Sequence, residues 1–146
     1  MAGLEPAARF GQRLALEAHR RGLEGAGQIA VLGDGAEWIW HLAAEHCPHA
    51  TQIIDWFHAS ERVWALGRAL WGADTVETRS WVEEQLTRLA LGQAAALAAE
   101  WQALPCRGEP ALVRDAQVTY FTHQASRMAY DQYRAVTQTS YRTTLR

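Results

Sequence analysis

The chain has 146 residues, of which 49% are hydrophobic and 21% charged, a balance that suits one globular domain with a genuine core. Its formal net charge of -2 gives no overall attraction to nucleic acid, and no apolar run reaches membrane-span length. All 14 basic residues are Arg, which reads as genome composition, and the two cysteines, Cys47 and Cys106, exclude a disulfide framework.

A first helix is predicted over residues 4–22, with Pro6 in its first turn and Gly22, Gly25 and Gly27 ending it. The start has neither the basic nor the apolar region of a secretion signal, so a reducing cytoplasm is the expected setting, without membrane association. The run Ile29-Ala-Val-Leu32 is short enough for a buried strand, and Gly33-Asp34-Gly35 follows as a turn. A helix over residues 36–46 then carries Ile39, Leu42, Ala43 and His46 on one face, and Cys47-Pro48 ends it. Residues 50–55 form a second strand that again closes on a carboxylate, Asp55. Two strands joined through such a helix make a βαβ unit, with parallel pairing and a right-handed crossover.

From Ala59 onward the pattern is helical. Amphipathic helices are predicted over residues 58–70, over a stretch capped by Asp74 or Thr75, over 93–104, and as one final helix over about 112–134. Most of the seven Trp lie in these helices and count as core. The tail from 136 has neither periodicity nor a cap, and is expected to be disordered.

Strand, Asp, helix is how an open α/β sheet presents a polar group at the carboxyl end of a strand. On spacing alone, the favoured reading of Asp34 is that it caps the helix. The alternative is a carboxylate pair, Asp34 with Asp55 at one sheet edge, holding Mg²⁺. A zinc site from His46, Cys47, His49 and His58 fits no standard ligand spacing and is disfavoured.

The segments Val31-Leu-Gly-Asp-Gly-Ala-Glu-Trp-Ile-Trp40 and Pro48-His-Ala-Thr-Gln-Ile-Ile-Asp-Trp-Phe-His-Ala-Ser-Glu-Arg-Val-Trp64 carry a resemblance. Together with Arg20-Arg-Gly22 and Arg127-Met-Ala-Tyr-Asp-Gln-Tyr-Arg-Ala135, they resemble the middle of an insertion-sequence transposase of the ISKra-type family, kin to Mutator-like enzymes. The resemblance runs from about Phe10 to Ala135. It implies an α/β fold: a partial RNase H-like core over residues 1–58, with a βαβ remnant of two short parallel strands, and a helical insertion over 59–135. Residues 136–146 would be a disordered tail, frameshifted away from the family pattern.

The family's activity is metal-dependent DNA strand cleavage and transfer by a DDE triad, with Mg²⁺ or Mn²⁺ as cofactor. The resemblance assigns Asp34 as the second triad acid and a metal ligand, which demotes its capping role. Asp55 and His58 match the family's Asp-x-x-His signature. The family's first acid lies on a strand upstream of Arg20-Arg-Gly22, and its last in a Gly-Ser-Gly…Glu segment after the Tyr-Arg-Ala stretch. This sequence matches neither, so the chain is expected to be inactive alone and to hold the metal weakly. Implied partners are transposon-end DNA, further copies of the chain, or a full-length transposase. The rival reading is a non-catalytic helical module that binds DNA or such a transposase. With Trp38, Trp40 and Trp56 beside an incomplete sheet, all three are expected to be partly exposed.

Overall fold

A computed structural model describes residues 29–137 and 141–144, and gives an α/β chain that is mostly helix with a small sheet. The predicted first helix, residues 4–22, lies outside the described residues. Two compact units divide the chain: residues 1–53 with 135–146, and Ile54–Arg134.

In the first unit, β1 (Ile29–Gly33) is the middle strand of a three-stranded sheet. It is followed by α1 (Glu37–His46), and β2 (Thr51–Ile54) and β3 (Tyr141–Thr144) flank it. Ala30, Val31 and Gly33 are buried, so the strand is covered on both faces, as its unbroken apolar run requires. The expected neighbouring of β1 and β2 is present, and the sheet has one strand more than the two expected. The third comes from the tail. Tyr141-Arg-Thr-Thr144 pairs in parallel with β1, Ile29 opposite Tyr141 and Leu32 opposite Thr144. An aromatic and two β-branched residues favour extended backbone even without alternation.

Helix α1 buries Ile39, Trp40, Leu42 and Ala43. Trp40 is only 4% exposed, contrary to the expectation for it, whereas Trp38 is 41% exposed. Successive positions on a helix lie about 100° apart, so Trp38 falls well away from the face that Trp40 shares with Ala43.

The second unit is a helical bundle. Helix α2 (Trp56–Trp71) buries Ala59, Val63, Leu66 and Gly67, and α3 (Val76–Ala90) buries Thr78, Val82, Gln85 and Leu89. Both sets follow the i, i+4, i+7 spacing of one helix face. Of the two caps proposed for α3, Thr75 serves: its side chain accepts from the Thr78 amide at 3.1 Å. Gly67 lets α3 approach α2, since a Cβ there would stand 2.7 Å from Val82 Cγ2. Helix α4 (Ala94–Gln102) packs Leu97, Ala98 and Trp101 inward. Trp101 donates from Nε1 to Gln85 Oε1 at 2.9 Å and meets Phe121 edge-on at 4.8 Å.

The single final helix expected is instead two. Helix α5 (Glu109–Gln124) passes into a 3₁₀ turn (Ala125–Arg127) before α6 (Tyr130–Thr137) begins. Neither Gly nor Pro marks the break. Met128, just after the turn, is fully buried.

Candidate functional site

Asp34 stands immediately after β1 and is half-buried. Its Oδ1 accepts a hydrogen bond from the Ala36 amide at 2.9 Å, two residues on, which closes an Asx turn. The helix itself is not capped by Asp34. Its N-cap position is Ala36, which has no side-chain oxygen to offer, and α1 starts at Glu37. The capping expectation is thus met only in part: Asp34 satisfies one amide before the helix and holds the loop. The flanking glycines have separate reasons. A Cβ on Gly33 would lie 3.0 Å from Ile39 Cγ2 and 3.1 Å from the Trp40 ring, while Gly35 has a φ of 103° that side chains rarely tolerate.

Asp55 follows β2 without a spacer and is itself the N-cap of α2, accepting from the Phe57 amide at 3.2 Å. His58 lies in the first turn of that helix, with Nδ1 3.7 Å from Glu61 Oε2 and its ring edge-on to Phe57. The two signature residues therefore share one helix start. Phe57 between them is 63% exposed, the most exposed aromatic of this turn. Asp34 belongs to the first unit, and Asp55 and His58 belong to the second.

A residue that the sequence pattern does not single out holds this turn. The hydroxyl of Tyr130, at the start of α6, donates to the Ile54 carbonyl at 2.8 Å. Its ring meets Trp56 edge-on at 4.9 Å and Tyr133 at 5.8 Å. Burial above all, then the nearby Tyr120, Tyr133 and Asp55, keeps the Tyr130 phenol well above its ordinary range, so it stays a donor. No local pattern announces a contact that spans 76 residues.

Among the described residues, no group of three or more His, Cys, Asp or Glu side chains could hold a metal ion. Cys47 is the C-cap of α1 and its thiol is pushed up by burial, while His46 is within 3.9 Å of Glu45. Asp34 by itself supplies one carboxylate, fewer than a two-ion centre requires.

No family model, curated protein or solved structure matches the chain. What it does has to follow from its own residues. Among the described residues, no helix is long and apolar enough to cross a membrane.

Proposed function

We propose that the chain is a relative of the ISKra-type insertion-sequence transposases, with part of an RNase H-like core and Asp34 as the second triad acid. The observation that supports this most is the setting of Asp34. It follows the central strand directly, half-buried, between one glycine required by close packing and another required by its backbone angle. A plain helix cap needs neither glycine.

In the intact family, two Mg²⁺ or Mn²⁺ ions supply the chemistry: they activate the attacking oxygen and stabilise the leaving one at a DNA phosphate. Among the described residues Asp34 is the acid this reading assigns to the triad, and no group of three or more His, Cys, Asp or Glu accompanies it, so no catalytic step is assigned to them. Asp34 would ligate metal once the other two acids are supplied. DNA ends are the partner this reading implies.

A second reading has its own support. The unit Ile54–Arg134 contains a core of its own, built on Leu66, Leu89, Leu97, Trp101 and Phe121. Such a bundle would act as a non-catalytic module, binding DNA, further copies of the chain, or a full-length transposase.

The nucleotide sequence on both sides of the reading frame tests the first reading. Coding capacity for an acid-bearing strand upstream and for a Gly-Ser-Gly…Glu segment downstream, in any frame, is the expected result. Flanks that encode neither would leave only the helical-module reading.

A further inference from the structure

We propose that Tyr130 is a positioning residue for the Asp55–His58 turn, gripping the chain on both sides of Asp55. Its hydroxyl holds the Ile54 carbonyl, one residue before Asp55, and its ring packs against Trp56, one residue after. Asp55 is thereby pinned between a buried backbone bond and an aromatic contact. Its own carboxylate is then aimed at the Phe57 amide, which sets the first turn of α2 and with it the direction of His58.

The 3₁₀ turn gives this grip its reach. A continuous helix through residues 125–129 would carry Tyr130 on along the axis of α5, whereas the break restarts the chain as α6 at Tyr130 itself. Tyr133, one turn along α6, supports the ring and donates to the Ser126 carbonyl at 3.3 Å, tying α6 back to the turn before it. Ile54 is fully buried, so the carbonyl that Tyr130 serves would be left without this donor in a poorly solvated place.

This role rests on the proposed function only in taking Asp55 and His58 as the functional pair. The geometry of the turn stands whether or not the flanking DNA encodes the other two acids, so the two ideas fail separately.

The test is amide exchange and His58 imidazole chemical shifts in the isotope-labelled full chain, comparing wild type, Tyr130→Phe and Tyr133→Phe. Tyr130→Phe keeps the ring and removes only the donor. We expect about tenfold faster exchange at the Phe57 and His58 amides, with shifted His58 ring resonances and unchanged protection in α3 and α4. Tyr133→Phe, which removes a neighbouring hydroxyl, should leave the Phe57 and His58 signals as in wild type. Unaltered Phe57 and His58 signals in Tyr130→Phe would overturn the proposal. So would a loss of protection spread evenly through α3 and α4, since that would make Tyr130 general core support.

Discussion

The two strand-to-helix turns of this chain use the same hydrogen bond for different ends. In each, an Asp at the carboxyl end of a strand accepts from the amide two residues on, Asp34 from Ala36 and Asp55 from Phe57. After Asp55 the helix begins at once, and the carboxylate is its cap. After Asp34 the helix waits until Glu37, and its N-cap residue, Ala36, makes no side-chain cap bond. Gly35, at a φ of 103°, carries the conformational cost of that delay, while Gly33 makes room for Ile39 and the Trp40 ring. A capping turn has no need of this. The difference teaches that a carboxylate after a strand is not by itself evidence of chemistry; the backbone around it is what separates a presented acid from a cap.

The largest expected effect separates the two units that carry the turns. Trp101 is almost fully buried at the centre of the second unit. Trp101→Ala should cost about 3–5 kcal/mol, from lost burial and the cavity left behind. Chemical denaturation followed by amide signals should show the loss in α2 to α5, with Val31 and Ile39 affected less. Equal loss at Val31 and Ile39 would mean the two turns are supported by one core.

Smaller effects sharpen the comparison at the carboxylates themselves. Asp55→Ala should lower stability by about 1 kcal/mol, as removal of a helix cap does, with faster exchange at Phe57. Asp34→Ala should cost a similar amount, about 1 kcal/mol, by leaving the half-buried Ala36 amide without its acceptor. Asn retains a side-chain oxygen at either place, so Asp34→Asn and Asp55→Asn should each recover most of that loss. Denaturation midpoints of the four variants decide it, and an Asp34→Asn chain as unstable as Asp34→Ala would mean that the charge, not the turn, is what the fold requires.

Most of this architecture is legible in the sequence where the determinants are local. The apolar run of β1, the periodic faces of α2, α3 and α4, and the Thr75 cap all follow from spacing and residue type. The break before α6 has no Gly or Pro to mark it, and the pairing of β3 was not legible because its partner, β1, lies more than a hundred residues earlier in the chain. Trp40 illustrates the same limit: its burial depends on the packing of α1, not on its neighbours in sequence. At the candidate site, Asp34, Asp55 and His58 could be picked out, whereas Tyr130 could not, since its partner Ile54 lies 76 residues earlier.

A further effect, confined to alkaline pH, is a pH dependence that belongs to the second unit. Burial holds the Tyr130 and Tyr133 phenols above their ordinary values in the folded chain. A raised folded-state value means the native state binds the proton more tightly. The stability this adds is therefore fully present below about pH 10, the ordinary phenol value, and is lost as pH rises through the folded-state values. Urea midpoints should hold from about pH 8 to about pH 10 and fall above it, and Tyr130→Phe should flatten the fall. An unchanged slope would assign the alkaline loss elsewhere.

Nicking of a DNA duplex in Mg²⁺ or Mn²⁺ tests the assignment of Asp34 most directly, measured for the 146-residue chain and for the chain extended by the flanking coding segments. The account predicts no cleavage by the shorter chain, and cleavage by the extended one that Asp34→Asn abolishes although the protein remains folded. Metal-dependent cleavage by the 146 residues alone, or cleavage by the extended chain that survives Asp34→Asn, would contradict it.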